Sequence, residues 1–302
     1  MKEIVEKINK LKKEKNAVIL AHYYVDGEIQ AIADFVGDSY KLAQTAAETD
    51  ADVIVFAGVK FMGESAKILS PSKKVIMPDL EADCPMAHMV TSKDIERVRE
   101  KYDDLAVVCY INSTADIKTY ADVCVTSSNA LRIVENLPNK NIFFIPDNNL
   151  GNYIKKKVKD KNFIVHDGYC HVHHHIMEDM VIKAKEEHPD ALFIAHPECR
   201  EPILKMADYI GSTSGIINFA TNSDAKEFIV GTEIGVFYQL QEKNPDKKFY
   251  TFDTKPVCTN MKKNSLEKLY EALKDETNII EVSEKVRIGA TKSLEEMLRL
   301  AK

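Results

Sequence analysis

One short pattern is written three times in this chain. Ala33-Asp34-Phe35-Val36-Gly37-Asp38-Ser39, Ala121-Asp122-Val123-Cys124-Val125-Thr126-Ser127 and Ala207-Asp208-Tyr209-Ile210-Gly211-Ser212-Thr213 resemble one another at offsets of 88 and 86 residues. Self-similarity at a fixed period means that one structural unit is repeated. Seventeen residues before the last position of each copy stands a polar residue: His22, Tyr110 or His196. Each closes an apolar run, Ala17 to Ala21, Leu105 to Cys109 or Ala191 to Ala195. Two more runs follow in step in each copy: Val53 to Phe56, Ile142 to Ile145 and Phe228 to Val230, then Val75 to Met77, Phe163 to Val165 and Phe249 to Phe252. Helical stretches such as Tyr40 to Thr49, Asn129 to Leu137 and Gly215 to Asn222 separate them.

Strands alternating with helices predict an α/β fold with parallel sheets. Unbroken apolar runs fit strands covered by helices on both faces. The expectation is three similar three-layer αβα domains, each with a four-stranded parallel sheet, arranged with pseudo-threefold symmetry around a central active site. The units are expected at 1–88, 89–173 and 174–261. Longer helices, Ser92 to Lys101 and His174 to Glu187, lead into the second and third. The segment 262–302, with helices at Ser265 to Leu273 and Val286 to Leu300, is expected to return to the first unit and close a ring. At the other end Ile4, Val5, Ile8 and Leu11 fall on one face of a lysine- and glutamate-rich helix within Met1 to Asn16. That is a surface helix, not a signal peptide.

The repeat also carries thiols. Cys84 lies 86 residues before Cys170, and Cys258 lies 88 after it; each follows the last apolar run of its unit. Three thiolates are one short of the usual structural zinc set and of the four cysteines typical of an iron–sulfur cluster. A [4Fe–4S] cluster on three cysteines leaves one iron open, able to polarise a substrate oxygen as a Lewis acid. Buried cysteines are also ordinary core residues. Cys109 and Cys124, inside apolar runs, read that way, and Cys199 reads as a neighbour of the site that breaks the threefold pattern.

Composition narrows the classes. A net charge of −6 lacks the excess of basic residues that a nucleic-acid surface requires. No apolar run approaches the roughly 18 residues of a membrane span. The six cysteines read as cytosolic thiols rather than a disulfide frame, so a cytoplasmic protein is expected. There is no GxGxxG and no Walker A motif.

Ligands bind at the carboxyl ends of parallel strands. There the first strands deliver a polar-x-polar pair in every unit: His22 and Tyr24, Tyr110 and Asn112, His196 and Glu198. Residues two apart on an extended segment share a face, and a histidine with a carboxylate is an acid–base pair. Ser39, Ser127, Ser212 and Thr213 precede helices. They read as N-caps, and equally as anion sites at helix N-termini. In Cys170-His171-Val172-His173-His174-His175, His174 and His175 read as solvated residues opening a helix.

These segments, in this order, resemble the quinolinate synthases, the second enzymes of de novo NAD biosynthesis from aspartate. The resemblance is carried by Ala21-His22-Tyr23-Tyr24, Gly37-Asp38-Ser39, Phe61-Met62-Gly63-Glu64-Ser65-Ala66-Lys67, Tyr110-Ile111-Asn112, Thr126-Ser127-Ser128-Asn129, Pro146-Asp147-Asn148-Asn149-Leu150-Gly151, Gly168-Tyr169-Cys170-His171-Val172-His173, His196-Pro197-Glu198-Cys199 and Gly211-Ser212-Thr213-Ser214. It implies one [4Fe–4S] cluster per chain on Cys84, Cys170 and Cys258, and a transferase that condenses iminoaspartate with dihydroxyacetone phosphate to quinolinate, phosphate and two waters. By the resemblance His22, Tyr24, Tyr110, His196 and Glu198 are catalytic candidates. Substrate contacts fall to His22, Ser39, Tyr110, Asn112, Ser127, His173, His196, Glu198, Ser212 and Thr213, with Met261 lining the cavity. An oxidase or dehydrogenase that makes iminoaspartate is the implied functional partner. Some members carry a Cys-x-x-Cys pair proposed as a regulatory disulfide; none occurs here, so no such switch is expected. Two other readings of the residues stand beside this one: a zinc hydrolase using Cys170, His171 and His173 with Glu198 as base, and a non-catalytic iron–sulfur sensor.

Overall fold

The computed structural model describes residues 2–301; Met1 and Lys302, the outer ends of the two terminal segments expected above, lie outside them. Helix α1 (Lys2–Glu14) leads into β1 (Ala17–His22), α2 (Gly27–Ile32), β2 (Phe35–Gly37), α3 (Ser39–Glu48), β3 (Val53–Ala57), α4 (Lys60–Leu69) and β4 (Lys74–Ile76). After α5 (Ser92–Arg99) the pattern repeats as β5 (Leu105–Tyr110), α6 (Ala115–Lys118), β6 (Val123–Val125), α7 (Ala130–Asn136), β7 (Asn141–Ile145), α8 (Asn148–Lys157) and β8 (Asn162–Val165). Helices α9 (His171–His174) and α10 (Glu178–Glu187) precede the third copy: β9 (Leu192–Ala195), α11 (Glu201–Met206), β10 (Tyr209–Ile210), α12 (Thr213–Asn222), β11 (Glu227–Gly231), α13 (Val236–Lys243) and β12 (Lys248–Tyr250). Helices α14 (Leu266–Asp275) and α15 (Glu284–Leu300) finish the chain.

The three sheets are all-parallel and share one strand order, β2-β1-β3-β4, β6-β5-β7-β8 and β10-β9-β11-β12. The repeated aspartate of the sequence pattern explains part of this order. Asp34, Asp122 and Asp208 each accept the N–H of the residue fifteen before them, Ile19, Val107 and Phe193, at 2.7–2.8 Å. Each aspartate's own N–H donates back to that residue's carbonyl. The side chain thereby clips the short edge strand to the first strand of its unit, where one residue of register would otherwise be free to slip.

The first and third strands of each unit are buried along nearly their whole length, most of the flanking strands only in part; Ile19, Leu20, Val107, Val108, Phe193 and Ile194 are essentially inaccessible. Each such side chain contributes about 1.5–3 kcal/mol by leaving water. The first two units share one continuous apolar core with α1, α14 and α15, whereas the third sheet has a separate core on each face. Helix α14 lies on α1 and β3. Helix α15 goes elsewhere as well: it lies across α4 of the first unit and α6, α7 and β6 of the second.

The expected helix from His174 to Glu187 is two helices, broken at His175–Met177. The break buries Ile176, and Glu178 and Asp179 open α10 where acidic residues favour a helix start. No helix of the described residues is long and apolar enough to cross a membrane.

Candidate active site

The carboxyl ends of the three sheets face one cavity. The three first strands deliver His22, Tyr110 and His196 to it, and the residues two further on, Tyr24, Asn112 and Glu198, line it too. In the first and third units the pair is set by the same local bond. Tyr24 N–H donates to His22 Nδ1 at 3.1 Å, and Glu198 N–H donates to His196 Nδ1 at 3.3 Å. His196 Nε2 lies 3.1 Å from Ser127 Oγ, a bond between the third and second units. Burial, with His196 adding to it, pushes His22 down to about 3, so its imidazole is neutral at physiological pH. Burial also lowers His196, although Glu198 opposes the shift.

Glu198 is the electrostatic centre. Its Oε2 lies 2.9 Å from His173 Nδ1 and 3.3 Å from His196 Nδ1. Burial alone would raise this carboxyl, but the two imidazoles outweigh it and hold Glu198 well below the usual range. Its other oxygen, Oε1, is buried without a partner, as is Asn112 Oδ1 across the cavity. A buried polar atom left unpaired costs about 1–3 kcal/mol, so these oxygens await donors that a bound molecule would bring. His173 Nε2 contacts Thr232 Oγ1 at 2.8 Å; Thr232 contacts the Tyr24 hydroxyl at 2.8 Å, and Tyr24 contacts Thr213 Oγ1 at 2.9 Å. Burial, then the charge of Glu198, raises both Tyr24 and Tyr110 well above the ordinary phenol, so both are protonated.

Ser39 and Thr213 are the first residues of α3 and α12 and line the cavity, as do Ser127, His173 and Met261. Ser212 does not. Its side chain caps α12 by accepting the Gly215 N–H at 3.1 Å. The repeat explains the difference: Ser212 is equivalent to Asp38, which caps α3 through Lys41 N–H at 3.0 Å, while Thr213 is equivalent to Ser39. The second unit departs again, because α7 begins at Ala130 and Asn129 accepts the Thr126 N–H at 2.7 Å.

Cys84, Cys170 and Cys258, one from each unit, line the same cavity. Each precedes a short helical turn, and the backbone N–H groups of Ala87, His173 and Met261 in those turns favour the thiolates, against the larger effect of burial. The backbone N–H of each cysteine is held by a carboxylate, Asp83 at 2.7 Å, Asp147 at 3.1 Å and Glu233 at 3.0 Å. Burial first, and the neighbouring thiol of Cys258, push Cys84 up to about 12. Burial, Glu198 and Cys84 raise Cys170, and burial raises Cys258. Three thiols so placed stay protonated unless a cationic centre replaces the protons. The other cysteines, Cys109, Cys124 and Cys199, are buried away from the cavity. The donor set therefore fits a metal group held by three sulfurs.

Among the described residues the one set of three donor atoms within 4.8 Å of one another is Cys170, His173 and Glu198. It leaves out His171, which the hydrolase reading requires, and it takes up Glu198, which that reading needs as a free base. His174 and His175 do not line the cavity; His174 packs at a tilt against Tyr169 and His175 is exposed. Asp38, Thr126, Asp147, Thr232 and Glu233 are site or supporting residues that sequence reasoning missed. Asp147 and Glu233, 86 residues apart and just past the third strands, carried a usable signal in the repeat.

A family model described as quinolinate synthetase A protein matches residues 6–299. The chain is 57% identical over 296 residues to a quinolinate synthase of Fusobacterium nucleatum, covering 98% of this chain and 99% of that protein. It is 52% identical over 301 residues to that of Caldicellulosiruptor saccharolyticus, with 100% and 99% covered. To that of Clostridioides difficile it is 49% identical over 300 residues, with 99% of each covered. With the family model spanning residues 6–299 and these relatives aligned over nearly their full length, the chain belongs to the quinolinate synthase (quinolinate synthetase A) family and is an enzyme of that activity.

Proposed function

We propose that the chain condenses iminoaspartate with dihydroxyacetone phosphate in the central cavity, giving quinolinate, phosphate and two waters. The reading rests on one observation above all: a thiol from each of the three units opens onto the cavity that also gathers the three polar strand ends. Cys84, Cys170 and Cys258 would hold a [4Fe–4S] cluster, one per chain. When bound, that cluster supplies an iron with an open position, a Lewis acid for a substrate oxygen.

The protein's own side chains account for the rest. The hydroxyls of Ser39, Ser127 and Thr213, at or near helix starts, suit anions such as carboxylates and phosphate. Asn112 Oδ1 and Glu198 Oε1 accept from the N–H and O–H groups that the substrates carry. Neutral His22 and the phenols of Tyr24 and Tyr110 hold protons where hydroxyls must leave as water. Glu198, kept ionised by His173 and His196, takes protons from carbon or nitrogen. Ser212 contributes through the cap it gives α12. The sensor alternative leaves the two unpaired oxygens and the convergent strand ends without a purpose. Free thiols and an oxygen-exposed iron suit a reducing compartment, the cytoplasm, with iminoaspartate supplied by an oxidase or dehydrogenase.

Anaerobic purification with iron and sulfide analysis tests this reading. About four irons per chain are expected, with a brown colour that bleaches in air, and quinolinate forms from the two substrates. C84A, C170A and C258A each lose the cluster. A full complement of iron in any one of these variants removes that cysteine from the ligand set.

A further inference from the structure

Tyr24 is held from several sides by one corner of the third unit. Its phenol oxygen meets Thr232 Oγ1 at 2.8 Å, and the same buried hydroxyl meets His173 Nε2 at 2.8 Å. The next residue, Glu233, is also fully buried. Its Oε1 accepts from the Cys258 N–H at 3.0 Å and from Lys262 Nζ at 3.2 Å, and its Oε2 accepts from the Gly235 N–H at 2.6 Å. Lys262 Nζ donates in turn to the main-chain carbonyl of Tyr24 at 2.7 Å, with Asp26 Oδ1 at 3.4 Å. Gly235 lies so close that a Cβ there would stand 2.7 Å from the Tyr24 backbone.

Thr232 thus holds the side chain of Tyr24 directly, Glu233 holds its main chain through Lys262 and Gly235, and the same carboxylate also fixes the Cys258 loop. A buried carboxylate with every bond satisfied is rigid, and losing its ammonium partner is costly. The corner is particular to the third unit. The equivalent positions are Pro146 and Asp147 in the second and Gly58 and Val59 in the first. Asp147 also holds a cysteine N–H, but no ion pair joins it among the described residues.

We propose that Thr232, Glu233 and Lys262 are positioning residues: a buried bracket that sets the Tyr24 phenol against the cysteine-lined end of the cavity. They act through Tyr24, His173 and the Cys258 loop rather than on the substrate. The proposal rests on the reading above, in which the three thiols hold a cluster and Tyr24 faces the substrate. Outer-shell partners of this kind typically cost about 10–100-fold in metal affinity or activity when removed.

The test compares wild type, T232V, T232S, K262M and K262R, purified anaerobically and loaded with iron and sulfide. Iron per chain, the rate of bleaching in air, kcat and KM are measured. For T232V, kcat falls about 10–100-fold, KM moves less than about threefold and iron is unchanged, and T232S recovers most of the loss. K262M lowers kcat on the same scale and bleaches several-fold faster, and K262R corrects both in part. A kcat within about twofold of wild type in T232V or K262M overturns the bracket. So does an equal loss in T232V and T232S accompanied by a lower melting temperature, which is the mark of a packing defect alone. Should K262M fail to fold, the Thr232 pair decides. A wild type that holds no iron and makes no quinolinate overturns the underlying reading and the bracket with it, whereas an active wild type with indifferent variants overturns the bracket alone.

Discussion

In the proposed chemistry Glu198 is the side chain with the most to test. It lies between two imidazoles, at 2.9 Å from His173 and 3.3 Å from His196, with one oxygen unpaired toward the cavity. E198Q keeps the size and the acceptor oxygen but removes the charge. Turnover is expected to fall by about 10²–10⁴, the usual weight of a general base, with iron content unaltered; normal turnover removes Glu198 from the proton-handling set. His22 makes a second prediction, about pH. Its folded value of about 3 lies below the ordinary 6.5 or so. The unfolded chain therefore takes up the proton first as pH falls. The stability that neutral His22 contributes is complete above about 6.5 and is lost on the way down toward the folded value, with a slope of up to about 1.4 kcal/mol per pH unit. His196, also lowered, adds in the same direction. Melting of the cluster-free protein should drop from pH 7 to pH 5, and H22Q should flatten that dependence. An unchanged wild-type melting temperature over this interval contradicts the burial of a neutral imidazole. The polar-x-polar strand ends were legible because each recurs on one period. Thr232 was not, and Asp147 and Glu233 recur in only two of the three units, where an acid past a strand looks like any loop acid; their burial exists only once the three units meet.

At the scale of elements, the repeated aspartate ties each edge strand to the first strand of its unit. Asp34, Asp122 and Asp208 sit at the same place in three units and close the same edge bond. D208A leaves the Phe193 N–H without its acceptor. The expected cost is about 1–3 kcal/mol, read as a lower midpoint in urea denaturation, and D34A and D122A should fall in the same range. A loss below about 0.5 kcal/mol in all three, the ordinary effect of a surface substitution, would show that the carboxylate is incidental. The four strands of each unit could be read from their apolar runs, and the sheets follow that reading strand for strand. The break between α9 and α10 could not. The chain turns there to bury Ile176, and periodicity carries no trace of that. Likewise Ser212 and Thr213 are neighbours with opposite tasks, cap and cavity wall, separated only by aligning them on Asp38 and Ser39.

Across the whole molecule the site exists only between units, so the seams must hold. Helix α15 spans the seam of the first two. Ala290, Ser293, Leu294 and Met297, spaced for one helical face, are fully buried against α4, α6 and β6. Ser293 Oγ donates to the Lys118 carbonyl at 2.9 Å, and a Cβ on Gly289 would meet Thr119 Cβ at 2.9 Å, so the helix is seated without slack. The same seam is joined by Ala115 N–H on Glu64 Oε2 at 2.9 Å. It fixes Cys84, from one side, relative to Cys170, from the other. L294A opens a cavity in the seam and is expected to cost about 2–5 kcal/mol. If the thiols are brought together by the packing of units, that loss reaches the cluster. Cluster-loaded L294A should then release iron at a lower temperature than wild type, in parallel with its loss of circular dichroism. The core of the third unit offers a comparison, since Leu240 is equally buried but lies in the apolar cluster on one face of that sheet. L240A should weaken the hold on Cys258 while leaving the first two thiols in place, so its iron loss should pass through a partly loaded protein that L294A does not show. Identical, single-step release from both variants would mean that the three units unfold as one body, and that no single seam governs the metal site.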